Sequence, residues 1–238
     1  SYFISYVTSP QELEYDEVPV SIRDALKSAE WREPLELEFR GHKERGSWTI
    51  VNRESVPTNA EIVSSRVVFS AKRNADGSVQ KLKARCVARG FEQTIPAIAT
   101  YAPVARPETI RKLFVVAARN RVQLQQMDVS QAYLYANLEE EIYMIPPDGL
   151  PGYEGKLLKL HKAIYGLKQA GRRWFDLLTK VLRSTGLIQS KYDPCLFYLP
   201  ATRQSPAQLL AFHVDDIIMA INDNKLRNRV LQSLQKEF

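Results

Sequence analysis

Two adjacent aspartates, Asp215 and Asp216, separate two short apolar runs, Leu209 to Phe212 and Ile217 to Ile221. Runs this short and this apolar read as buried strands joined by a tight turn. An aspartate suits such a turn, because its short side chain bonds nearby backbone amides. Two neighbouring carboxylates in an apolar setting cost free energy unless a cation neutralises them. Two readings stand: an ordinary hairpin turn, or part of a divalent-metal site that needs a further carboxylate from elsewhere in the chain.

The 238 residues suffice for one large domain or two smaller ones. With 45% hydrophobic and 25% charged residues, the chain has the balance of an ordered globular protein, which excludes a disordered class. A net charge of +6 and a pI near 9.2 favour polyanionic partners such as nucleic acid. Cys86 and Cys195 form neither a disulfide framework nor a zinc-ligand spacing, which points to a reducing interior. No apolar run of about 18 residues exists, so no transmembrane helix and no membrane partner are expected. The first residues lack an initiating Met and a basic leader, and the helical pattern at Lys236 to Phe238 stops abruptly. Both features read as cuts within a longer polypeptide.

Residues 1–20, with their acidic cluster, read as a linker or arm. A helix is expected from Ser21, its cap, with Ile22, Leu26 and Ala29 on one face; Pro34 should stop, kink or restart it. Trp48 to Val51 is a strand candidate. Val67 to Lys72 and Val79 to Val87 flank Asp76-Gly77, a hairpin signal. Lys72, Arg73, Lys81, Lys83, Arg85 and Arg89 decorate that hairpin, either as its solvated face or as a phosphate-gripping surface. Pro107 opens a helix to about Asn120, and Val122 to Met127 reads as a strand with Asp128 at its end. Asp128 is either a helix cap for the segment 130–137 or a carboxylate placed to meet the Asp215–Asp216 turn. Strands are expected at Glu139 to Ile145, Leu157 to Leu160, Cys195 to Leu199 and Leu209 to Phe212. Helices follow Tyr165-Gly-Leu-Lys-Gln169 and cover Lys225 to Phe238.

Several blocks together carry a resemblance. They are Lys83-Ala-Arg-Cys-Val-Ala-Arg-Gly90, Tyr101-Ala-Pro-Val-Ala105 and Gln126-Met-Asp-Val-Ser-Gln-Ala-Tyr-Leu134. Further along come Leu138-Glu-Glu-Glu-Ile-Tyr-Met144, Tyr165-Gly-Leu-Lys-Gln-Ala170 and Phe212-His-Val-Asp-Asp216. In this order they resemble the reverse transcriptases of Ty1/copia-type long-terminal-repeat retrotransposons, over about Ala25 to Phe238. The resemblance implies an α+β right-hand polymerase fold: fingers roughly over 45–105, palm roughly over 106–238, and an antiparallel palm sheet flanked by helices. It implies that the thumb or connection and the RNase H domain are lacking here. Asp128 and Asp215 would be ligands of two Mg²⁺ ions, with Mn²⁺ able to substitute, and Asp216 a catalytic second member of the turn. Lys72, Arg85, Tyr133 and Gln169 match positions that meet the incoming dNTP, Tyr133 as a gate against the ribose 2′-hydroxyl. His213 falls near the primer terminus. The implied partners are an RNA template, a DNA primer, dNTPs and the rest of a Pol polyprotein with integrase and RNase H. The implied setting is intracellular: a cytoplasmic virus-like particle, and the nucleus.

The chain departs from the family pattern at several places. His213 stands for a Tyr, Gly171 for a Pro, Pro34 for a helix former, and the segment 93–100 lacks a Gly-x-Asp-Tyr pattern. The alternative to an active polymerase is therefore a degenerate, catalytically inert remnant with at most nonspecific nucleic-acid binding.

Overall fold

The computed structural model describes residues 18–94 and 100–238; the expected arm over 1–20 and the divergent segment 93–100 lie largely outside them. Ser21 caps α1 (Ile22–Lys27), its hydroxyl accepting the Asp24 N–H at 3.2 Å. The backbone extends at Ser28 and α2 (Ala29–Glu44) begins. Of the outcomes expected at Pro34, the helix neither stops nor restarts there; the restart falls earlier, at Ser28. An interior proline costs about 3 kcal/mol through a lost backbone bond and a ring clash. Burial of Trp31 and Leu35 on one stripe offsets that cost.

Two strands, β1 (Trp48–Asn52) and the unforeseen β2 (Glu61–Val63), precede a hairpin of β3 (Ser65–Arg73) and β4 (Val79–Ala88). Asp76 shapes its turn by accepting the Ser78 N–H at 2.9 Å. Because side chains alternate along a strand, Phe69 and Ala84 pack on Ile22, Ala25, Trp31 and Leu35. The register gives the opposite face to Arg66, Lys72, Lys81, Lys83 and Arg85.

Pro107 opens α3 (Pro107–Arg119) as expected. The next strand, β5 (Gln125–Asp128), starts later than the sequence pattern suggests. Arg121 turns left-handed (φ 53°) and the Val122 N–H closes the helix end on the Ala117 carbonyl at 2.9 Å, which takes Val122 out of the strand. β6 (Ile142–Met144) and β7 (Lys156–Leu160) join β1 and β2 in a sheet of order β1-β7-β6-β2, whose β2–β6 pair is parallel.

After α4 (Ala170–Ser184) come β8 (Ile188–Gln189), β9 (Leu196–Leu199), β10 (Gln208–His213), β11 (Asp216–Ala220) and α5 (Asn224–Glu237). The second large sheet, β5-β11-β10-β9-β8, is antiparallel throughout. On one face, Phe197, Leu210, Phe212, Ile217 and Met219 meet Trp174, Leu178 and Leu182 of α4 and Val230 of α5. On the other, Ala211 and Ala220 admit Leu113 and Ala117 of α3. The protein is thus a mixed α+β fold with three sheets and five helices among the described residues. None of those helices is long and apolar enough to cross a membrane.

Both cysteines are buried. Burial, with Asp193 beside it, pushes the Cys195 thiol up to about 12; burial, with Glu38 nearby, raises Cys86 as well. A thiol whose folded value is raised contributes its full stability below the ordinary 9.0 and loses it as pH rises toward the folded value. Near pH 8 neither thiol of the folded chain should react with a disulfide reagent over an hour, whereas both should titrate in denaturant. Rapid labelling of the native chain would contradict this burial.

Candidate active site

The turn between β10 and β11 is made by Val214 and Asp215, with His213 opposite Asp216. The left-handed residue is Val214 (φ 58°), not an aspartate. A β-branched residue in that region costs on the order of 1–3 kcal/mol and persists only where its surroundings hold it. Two bonds do so here. The buried Trp174 indole N–H donates to the Val214 carbonyl at 2.7 Å, and the Val129 N–H donates to the Asp215 carbonyl at 3.1 Å. The second bond ties the turn to the residue after Asp128, which itself lies opposite Asp216 across β5 and β11. Met127, Phe212 and Ile217 face the core, so alternation turns Asp128, His213 and Asp216 to the opposite face, at the end of which all three are exposed.

Asp128 and Asp215 line one cleft of about 400 Å³, together with Ser130 and Gln131. Lys81, Lys83 and Arg85 of β4 line it as well, and Pro34, Leu37, Gly41 and Arg45 carry it along α2. The hairpin is docked beside the aspartates by backbone: the Ala88 N–H donates to the Tyr165 carbonyl at 2.8 Å. Gly166 (φ 90°) and Gly90 permit that approach, since a Cβ on the first would collide with the Ala88 carbonyl and one on the second with the Gly166 carbonyl. The Arg85 guanidinium lies 5.5 Å from the Tyr165 ring centroid, and Tyr165 meets Tyr133 edge-on at 4.8 Å. Burial, then the charge of Asp215, raises the Tyr133 phenol. Burial also raises Tyr165, against the pull of Arg85. Both therefore stay protonated at neutral pH.

Of the residues expected in a site, Asp128, Asp215 and Arg85 meet in this cleft. Tyr133 stands one ring behind it, against Tyr165. Lys72 lies on the basic face opposite Lys81, outside the cleft lining. Asp216 is also outside the lining, its Oδ1 accepting from Gln126 Nε2 at 3.4 Å. His213 is exposed beside it. Gln169 does not face the cleft: it is 1% exposed, and its Oε1 accepts from Gln93 Nε2 at 3.1 Å. It occupies the N-cap of α4, and the packing of that helix start carries it inward. Asp128 is not a helix cap, because the short 3₁₀ turn Ala132–Tyr135 follows a left-handed Gln131 and has no side-chain cap. The α2 wall went unseen in the sequence because Pro34 hid a periodicity, at 34, 37, 41 and 45, that runs through it.

Magnesium is a hard cation held by one or two carboxylates plus substrate phosphates and water. Asp128 and Asp215 in one cleft fit that pattern. Among the described residues no group of three or more acidic, His or Cys side chains converges.

The arrangement can be set beside known proteins. Residues 45–238 match the family described as reverse transcriptase (RNA-dependent DNA polymerase). The Pol polyprotein from transposon RE2 of Arabidopsis thaliana is 34% identical over 98% of this chain and 16% of its own length. That of transposon TNT 1-94 of Nicotiana tabacum is 30% identical over 94% of the chain and 17% of its length. The Ty1-ER2 Gag-Pol polyprotein of Saccharomyces cerevisiae is 28% identical over 95% and 12%. The chain therefore spans less than a fifth of the polyproteins it matches. Together with the cleft-lining aspartates and the ordered sequence blocks, these matches establish that the chain belongs to the reverse transcriptase family, in its Ty1/copia retrotransposon branch.

Proposed function

We propose that this chain is the fingers-and-palm unit of an RNA-directed DNA polymerase, extending a DNA primer on an RNA template. Residues 21–238 form the unit, with fingers roughly over 45–105 and palm over 106–238. The observation that carries the reading is the meeting of Asp128, at the end of β5, and Asp215, in the β10–β11 turn, with the Lys81, Lys83 and Arg85 edge in one cleft. In the transfer, the primer 3′-hydroxyl gives up its proton to solvent, its oxygen attacks the α-phosphorus of a dNTP to form a P–O bond, and the bond to pyrophosphate breaks. Arg85 and Lys83 offset the negative charge of the triphosphate and of the departing pyrophosphate. Asp128 and Asp215 would hold two Mg²⁺, or Mn²⁺ in their place; when bound, these ions supply electrostatic stabilisation of the attacking and leaving oxygens. Lys72, further out on the basic face, serves the template or the approach of dNTP rather than the reacting phosphates. Gln169 acts from beneath the site through Gln93, and His213 and Asp216 face the primer side. The partners are RNA template, DNA primer and the remainder of a Pol polyprotein, in the cytoplasmic particle and nucleus such an element uses.

The test is Mg²⁺-dependent dNTP incorporation on a primed RNA template, by the chain alone and continued by the segment that follows the matching region in the RE2 relative. Incorporation supports the reading. Salt-sensitive RNA binding without incorporation in either form would instead identify an inert binding remnant. Tyr133→Val carries a further prediction. Its ring, propped by Tyr165, would exclude a 2′-hydroxyl by shape, so removing it should raise rNTP over dNTP use by about tenfold or more, a change of roughly 1.4 kcal/mol. Unchanged discrimination in competition assays would make Tyr133 a packing residue.

A further inference from the structure

Glu38 lies in the middle of α2 with only 5% of its surface exposed. Its carboxylate accepts the Cys86 backbone N–H at 2.8 Å, and Cys86 is the next residue after Arg85 on β4. It also accepts Gln131 Nε2 at 2.8 Å, and His42 Nε2 stands 3.3 Å away. Burial alone would raise this carboxyl, but His42, Cys86 and Gln131 together hold it below its ordinary value, so it is ionised in the folded chain.

Gln131 lies in the loop that leaves Asp128, adopts a left-handed backbone (φ 54°) and lines the cleft. Its Oε1 accepts from Arg45 Nη1 at 3.0 Å, while Arg45 Nη2 reaches the Tyr135 hydroxyl at 2.9 Å and the guanidinium stacks 4.6 Å from that ring. A Cβ at Gly41, one turn from Glu38, would collide with the Gln131 amide; α2 carries a glycine where that amide rests. One buried carboxylate thus bridges the strand that presents Arg85 and the loop that follows Asp128.

We infer that Glu38 is a positioning residue for the reaction centre, acting through Gln131 to hold the Asp128 loop against the cationic strand. α2 is then part of the catalytic machinery although it precedes residue 45, where the family match begins. Gripped from both Glu38 and Arg45, the Gln131 side chain ties the loop after Asp128 to α2.

The inference rests on the polymerase reading for its kinetic arm, and hydrogen exchange supplies an arm that does not. Glu38→Gln, Gly41→Ala, Gln131→Ala and the double variant Glu38→Gln/Gln131→Ala are compared with wild type. Alanine is a better helix former than glycine, which offsets part of the cost of displacing the Gln131 amide from Glu38 and Arg45, so Gly41→Ala should stay folded with a modestly lower melting temperature. Glu38→Gln and Gly41→Ala should each lower kcat per folded molecule by about ten- to a hundredfold, because small misplacements of reacting groups cost that much. Primer–template affinity should not change. The double variant should lose no more than Gln131→Ala alone, as coupled residues do. Amides of residues 129–136 should exchange faster in both variants, with those of α4 unaffected. Unchanged kcat in folded Glu38→Gln, additive losses in the double variant, or unaltered exchange over 129–136 would overturn the inference. If wild type itself incorporates no nucleotide, the polymerase reading fails separately, and the exchange comparison still decides the role of Glu38.

Discussion

Asp128→Asn and Asp215→Asn should each reduce primer extension by about a hundred- to a thousandfold while leaving the melting temperature nearly unchanged. Asp128 at the end of β5 and Asp215 in the β10–β11 turn both line the cleft beside Lys83 and Arg85. Asparagine keeps the shape and one acceptor but removes the charge that a divalent cation requires. Loss of electrostatic stabilisation at developing phosphoryl charge commonly costs ~3–4 kcal/mol or more. Neither side chain is part of a packed core, since Asp128 is exposed and Asp215 half-buried in a turn. Surface substitutions of that kind usually move stability by less than about 0.5 kcal/mol. Asp216→Asn should cost less than either, because Asp216 lies outside the cleft lining and bonds Gln126 instead. Chelation of divalent ions should reproduce the loss in wild type. Single-turnover incorporation beside thermal melts makes the comparison, and an asparagine variant within tenfold of wild type would remove that aspartate from the site.

Gly166→Ala should be the most damaging single-methyl change in the chain. Its φ of 90° disfavours any side chain, at roughly 1–2 kcal/mol. The added carbon would also collide with the Ala88 carbonyl, forcing apart the backbones joined by the Ala88 N–H and Tyr165 carbonyl. A buried hydrogen bond adds about 1 kcal/mol to the loss. The sum, roughly 3 kcal/mol, corresponds to a fall in Tm of about 6–12 °C for a domain of this size. Because the same junction holds Arg85 beside Tyr165, activity should fall further than stability does. Gly77→Ala is the control: its φ is 88°, but nothing lies within 4 Å of an added Cβ, so only the conformational cost remains. Equal melting temperatures for the two variants would show that the docking of β4 on the Tyr165 turn carries no energy.

Much of the site was legible because its parts are local. The apolar runs around Asp215 and Asp216 read as strands joined by a tight turn, and β10 and β11 pair there, with the turn one residue earlier, at Val214 and Asp215. The Asp76-Gly77 turn and the alternation of Lys81, Lys83 and Arg85 with Leu82 and Ala84 likewise define a two-faced hairpin. The ordered blocks carried the family, and the match over residues 45–238 agrees with them. Local pattern misled where a long-range contact won. Pro34 looked like a helix end, yet burial of Trp31 and Leu35 against the hairpin carries α2 through it. Gln169 is singled out by resemblance rather than by local pattern, and its position at the start of α4 buries it.

By itself, then, the sequence determined most of the strands and helices and which face of the hairpin is basic. Periodicity, turn chemistry and charge act over a few residues, so the order of residues suffices for them. Only the tertiary structure decided that Val214, held by Trp174, takes the strained turn position. Only it decided that α2 closes the cleft and that the Glu38 carboxylate joins β4 to the loop after Asp128. Those features depend on groups far apart in the chain meeting at hydrogen-bond distance, and a hydrogen bond between distant residues leaves no period in the sequence that makes it.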